Sequence, residues 1–227
     1  MQLNKRYYLI TAGNTLWYTC LLFFSYLMLL ITLQYIPVRT DVAFLLIKGD
    51  VTGMLHYRVA FFAHVYTGMF VLLSGMLQFP AVIRRQYPAL HKWSGRIYAG
   101  GIILIAGPSG LVMGYYGNGG LVSQTAFCIL AVLWITFTWK GVAAIWAGDI
   151  RSHKAWMYRS YALTLSALSL RLWKVILVSM FHPRPMDTYH IISWLGWVGN
   201  LLIAEAIIYY TMRKPKDIQP GIPVVNS

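Results

Sequence analysis

Long apolar runs dominate the chain, separated by short stretches where polar residues, Gly and Pro collect. Six runs, at about 15–36, 59–80, 94–115, 122–147, 157–180 and 190–212, reach the roughly 20 residues that a helix needs to cross about 30 Å of hydrocarbon. Backbone polar groups find no water inside a bilayer, so runs of this length must satisfy their hydrogen bonds internally as helices. The pattern predicts an all-α integral membrane bundle of six transmembrane helices, one domain over 1–227. Helices two to five, about 59–180, are expected to form a four-helix core with one helix flanking each end. The first run follows Lys5 and Arg6, but it is too long for a secretory signal and no small-residue cleavage site follows it. It is read as a retained helix.

Two interruptions add detail. The patch DVAFLLIKGD, beginning at Asp41, is too short to span and is expected to lie along the interface or fold over the bundle. Gly107 and Pro108 should break regular hydrogen bonding and kink the third helix. After the last run, 213–227 reads as a short cytoplasmic tail.

Composition agrees with the pattern: of 227 residues, 58% are hydrophobic and 11% charged, against about one quarter charged in a soluble domain. The net charge of +13 would suggest nucleic acid in a soluble protein, but here the basic residues sit at the ends of apolar runs. With the N-terminus inside, the inner side receives Lys5, Arg6, Arg84, Arg85, Lys92, Arg96, Arg151, Lys154, Arg159, Arg213, Lys214 and Lys216, and the outer side only Arg39, Lys48, Arg58 and Arg184. Cytoplasmic loops carry such an excess. Both termini are therefore assigned to the cytoplasm of a multi-pass protein, read as one of the bacterial cytoplasmic membrane, whose partner is the lipid bilayer and not nucleic acid. Cys20 and Cys128 fall inside predicted spans, so no disulfide framework is indicated and both are expected to pack in the core.

The segment LHKWSGRIYAGG, beginning at Leu90, is echoed by SHKAWMYRSYAL, beginning at Ser152, with the two histidines 62 residues apart. That offset spans one helix, the Gly-rich turn YYGNGG and a second helix, which is the spacing of two successive hairpins in a parallel pseudo-repeat. Each His-Lys segment is expected on the inner side, just before a helix running outward. Lys, Arg, Trp and Tyr commonly anchor a cytoplasmic helix end. The histidines are the part that anchoring does not require.

Histidines fall at two depths, His91 and His153 inner, His56, His64, His182 and His190 outer. Two layers of imidazole in a helical bundle suggest axial ligation of b-type haem iron, with His64, His91 and His153 as candidate ligands. His64 shares a helix face with Gly68, Val71, Gly75 and Gln78, whose glycines would admit either a flat macrocycle or a closely packed helix. Charged residues inside spans are costly enough to be functional candidates: here they are Arg171, Lys174 and Glu205. Arg171 and Lys174 lie in the outer half and Glu205 in the inner half, so an Arg171–Glu205 pair is not expected. Arg171, which cannot deprotonate, should be buried and polar-paired; as a cofactor-binding residue it would suit haem propionates or a quinone head group. Glu205 reads as a proton relay or a neutral hydrogen-bonding group. No phosphate-binding glycine loop, nucleophile elbow or cysteine metal motif is present, which leaves hydrolase and ATPase readings without support.

The ordered segments LLSGMLQFPAVIRRQYPALHKWSGRIY and GDIRSHKAWMYRSYALTLSALSLRLW resemble a family of bacterial and fungal multi-pass membrane proteins, domain of unknown function 2306. The resemblance covers about 60–175 and takes in Gln78, His91, Gly95, Arg96, Tyr98, His153, Trp156, Met157, Arg159, Ala162 and Arg171. It implies an integral membrane protein and brings no established activity. More loosely, the four-helix core looks like the cytochrome b type, although the fourth helix here has no histidine, so that one haem at most follows its scheme. The leading expectation is an electron-transfer protein or redox-complex subunit with a haem b or quinol site. The alternatives are a small-molecule transporter, a membrane-complex assembly factor, or a scaffold whose basic inner rim binds anionic lipid.

Overall fold

Long apolar helices account for the architecture, and the computed structural model describes residues 2–212 of it. In order these are α1 (Gln2–Leu33), α2 (Gly49–Thr52), α3 (Leu55–Met76), α4 (Ala81–Gln86), α5 (Pro88–Gly100), α6 (Gly107–Tyr115), α7 (Gly120–Trp146), α8 (Ile150–Thr164), α9 (Ser166–Phe181) and α10 (Pro185–Met212). Among the described residues there is no strand. Five stretches are long and apolar enough to cross a membrane by themselves, and α8 with α9 makes a sixth, bent by 41°. The tail 213–227 and the side chains of Lys5 and Arg6 lie outside the described residues.

The third span, Pro88–Tyr115, begins earlier than its hydropathy suggests, because both His-Lys segments are themselves helical. Pro88 occupies the first turn of α5, where its missing N–H costs nothing. Asp149 caps α8 by accepting the Ser152 N–H at 2.9 Å, a bond that holds its carboxyl below the usual carboxylate range. The break expected at Gly107 and Pro108 takes the form of a π-helical segment, Gly101–Ala106, between α5 and α6.

The main core joins Val71, Tyr98, Ile102, Ala106, Trp134, Tyr161 and Leu163 with Trp197 of α10. The last helix packs on α7, α8 and α9, while α1 touches α3 and, sparsely, α9. Cys20 of α1 is exposed and not a core residue, because most of the described side chains of α1 face outward from the bundle. A smaller core of Tyr35, Leu45, Tyr57 and Phe61 shows that the patch after Asp41 folds over the bundle as a cap. Its Lys48 is buried and donates to the Tyr116 carbonyl.

Gly75 marks the closest approach in the core. A Cβ there would lie 2.6 Å from Tyr161 Cε2 and 2.7 Å from Tyr98 Cε2, so the room on this face is taken by tyrosine rings. Beneath them runs a closed network: the Tyr98 hydroxyl lies 2.8 Å from Ser160 Oγ and 2.9 Å from Thr164 Oγ1, Trp134 Nε1 donates to Thr164 Oγ1, and Thr138 Oγ1 lies 2.7 Å from Ser160 Oγ.

Candidate functional site

On the face that carries the basic loops, α5 and α8, joined where the Tyr98 hydroxyl meets Ser160 Oγ at 2.8 Å, hold His91 and His153 at one depth, each seven residues earlier on its helix. Each ring is oriented by one partner. The Gln78 amide sits against the His91 carbonyl, which can only accept, and the Gly95 N–H, which can only donate. Its Nε2 must therefore face His91, 3.3 Å from the carbonyl oxygen and 3.0 Å from Nδ1, while Oε1 accepts from Gly95 N at 3.1 Å. Neutral His91 accepts at Nδ1 and carries its proton on Nε2. His153 is the reverse: its Nδ1 lies 2.8 Å from the Gly141 carbonyl oxygen, so Nδ1 holds the proton and Nε2 is bare.

His64 has the same tautomer as His153. Its Nδ1 donates to the Ala106 carbonyl at 2.8 Å, at the end of the π segment, and that oxygen also accepts from Ser109 Oγ at 3.2 Å. The ring meets Trp134 edge-on, with centroids 6.3 Å apart, and lies against Gly110, where a Cβ would be 2.9 Å from His64 Cε1. Its neighbours stand about 10–20 Å along the bundle from those of the inner pair, counted at 1.5 Å per residue.

A haem iron would take an imidazole nitrogen that carries no proton; as they are bonded, His153 and His64 each hold one such nitrogen, at different depths, and His91 turns its own toward Gln78. Among the described residues no group of three or more His, Cys, Asp or Glu is placed to hold a metal ion.

Glu205 finds its counter-ion in Arg159, one member of the echoed motif, through a two-pronged contact whose second arm is 2.8 Å. Depth counting identifies this pair, since Arg159 and Glu205 each lie about 10–14 Å inside the same face. Trp156 sits between two cations, Lys140 Nζ at 4.6 Å and Arg159 Cζ at 4.7 Å from its ring centroid. Arg171 departs from expectation. It is exposed on the surface of the chain, and its guanidinium donates to Ala167 O of its own helix at 2.7 Å. The reason is the thin cover over α9, in which Ser166 is the one buried residue.

Residues 61–208 match the family model described as Predicted membrane protein (DUF2306). The chain belongs to this family. The matched stretch contains Gln78, His91, His153, Arg159, Arg171 and Glu205. No curated protein and no solved structure matches the chain.

Proposed function

We propose that the protein is an electron-transfer protein or redox-complex subunit that binds the head group of a lipid-soluble quinone or quinol between His91 and His153, with the basic face in the cytoplasm. The observation that supports this reading is the opposed tautomers of two neighbouring imidazoles. His91 Nε2–H is a donor for a quinone carbonyl, and the bare Nε2 of His153 is an acceptor for a quinol hydroxyl. Gln78 and the Gly141 carbonyl keep the two rings from exchanging roles. Oxidation of a quinol releases two protons and two electrons; His153 accepts the first proton, the second leaves to water on the basic face, and the electrons pass one at a time to a metal-centred electron acceptor on a partner protein.

The test is binding of a short-chain quinone to protein purified in mild detergent, followed by tryptophan fluorescence, with reduced-minus-oxidised absorbance recorded on the same sample. Binding should weaken at least tenfold in His153→Leu and in Gln78→Leu, the second because it releases the His91 tautomer. Quinone affinity equal to wild type in both variants would overturn the reading. Reduced b-type bands that vanish on joint replacement of His91 and His153 would replace quinone by haem. Protein with neither signal would be better read as a transporter or assembly factor.

A further inference from the structure

Arg96 and Arg159 occupy matching places in the echoed His-Lys segments. Each guanidinium lies over the tryptophan three residues before it, Arg96 Cζ 5.0 Å from the ring centroid of Trp93 and Arg159 Cζ 4.7 Å from that of Trp156. They also match in depth, Arg96 about 12 Å from the start of α5 and Arg159 about 13–14 Å from the start of α8, at about 1.5 Å per residue. What covers them differs. Helix α10 packs on α8 and supplies Glu205 to Arg159, whereas the outer face of α5 is open. Arg96 is exposed and has no carboxylate partner among the described residues, where the ion pairs are Arg39–Asp41 and Arg159–Glu205. It shares that face with Trp93, Ile97 and Leu104, which are 62%, 52% and 75% exposed.

We propose that α10 of a second copy of the chain packs on this face of α5 and brings its Glu205 to Arg96, so that copies associate head to tail in the membrane. Charge and depth select that occupant. Of the described carboxylates, Asp41, Asp50 and Asp187 belong to the opposite end of the bundle and Asp149 caps the start of α8, so Glu205 alone stands at the depth of Arg96. Its side chain is 50% exposed even when paired with Arg159, which takes two hydrogen bonds of the roughly four that a carboxylate accepts. Polarity agrees: α5 and α8 both run away from the basic face and α10 runs toward it, so a neighbour's α10 meets α5 in the sense in which it meets α8. Both faces admit a close approach, since a Cβ at Gly100 on α5 or at Gly199 on α10 would meet nothing within 4 Å, and small residues let membrane helices pack tightly. An arginine inside a span keeps its charge and is costly against lipid, which favours the contact. Because two different faces meet, the contact is heterologous.

The test is disulfide cross-linking in membranes of cells that express two tagged copies of the full chain, both with Cys20→Ser and Cys128→Ser, one with Ile97→Cys and the other with Leu202→Cys, which lies 67% exposed on the Glu205 side of α10. Co-expression should give a dimer that carries both tags, and either copy expressed alone should not. Arg96→Gln placed in the Ile97→Cys copy should lower the yield at least tenfold, as expected for a lost charged hydrogen bond. The same substitution placed in the Leu202→Cys copy should leave the yield unchanged, because that copy brings Glu205 to the linked junction. Glu205 is left intact throughout, since it also holds Arg159. Dimer from the Ile97→Cys copy alone would show a symmetric contact between α5 faces. Absence of any dimer would leave Arg96 to lipid phosphate or to the helix of another protein, and an equal effect of Arg96→Gln in both placements would show that it acts on the fold. Each of these three results overturns the proposal.

Discussion

Tyr98 and Tyr161 are neighbouring phenols in the main core, with ring centroids 6.3 Å apart, that differ in one respect. The Tyr98 hydroxyl is bonded to both Ser160 and Thr164, whereas the Tyr161 hydroxyl is buried without a hydrogen-bond partner among the described residues. Tyr98→Phe removes two hydrogen bonds worth about 0.5–1.5 kcal/mol each. Ser160 keeps Thr138 and Thr164 keeps Trp134, so no new orphan is created and the expected loss is about 1–2 kcal/mol. At about 2–4 °C per kcal/mol for a chain of this size, the melting temperature should fall by about 2–8 °C. Tyr161→Phe has the opposite sign, because it removes a hydroxyl whose burial costs about 1–3 kcal/mol; it should be neutral or raise the melting temperature by a few degrees. The assay is unfolding in detergent micelles followed by tryptophan fluorescence, with both variants and wild type in one detergent. If Tyr161→Phe destabilises as much as Tyr98→Phe, the network is not what the Tyr98 hydroxyl contributes, and the reasoning fails.

A parallel contrast concerns two glycines on α3. Gly75→Ala drives a methyl into two buried tyrosine rings and should cost about 1–3 kcal/mol as overpacking. Gly68→Ala meets nothing within 4 Å and should gain up to about 1 kcal/mol of helix propensity; the same melting curves check both, and equal effects would contradict the packing. Burial lowers the Lys48 pKa from its ordinary 10.5, with Asp50 acting weakly in the opposite direction. The unfolded cap then binds more protons than the folded one between the lowered value and 10.5, so cap stability should rise with pH across that window. Proteolytic cleavage within 43–54, measured against an unfolded peptide of the same sequence, should slow accordingly, and Lys48→Met should abolish the slope. A flat profile in the wild type would show that Lys48 is not desolvated.

How much of this molecule its sequence determines follows from which terms are local. Six apolar crossings are legible because a bilayer imposes a length and demands helical hydrogen bonding on any segment that enters it, and the break near Gly107 and Pro108 is legible because proline lacks a donor. The family was legible too, through the echoed His-Lys segments. What those segments do was not. The tautomer of His91 is set by Gln78 in the turn that follows α3, and that of His153 by a carbonyl 12 residues earlier, so ring chemistry depended on how α3, α5, α7 and α8 pack. The π segment gave His64 its acceptor, the sparse packing over α9 left Arg171 exposed, and Arg159 met Glu205 because two helices placed them at one depth. Hydropathy is a property of segments and survives in the order of residues; hydrogen-bond partners are a property of helix faces, whose rotation about one another only tertiary packing decides.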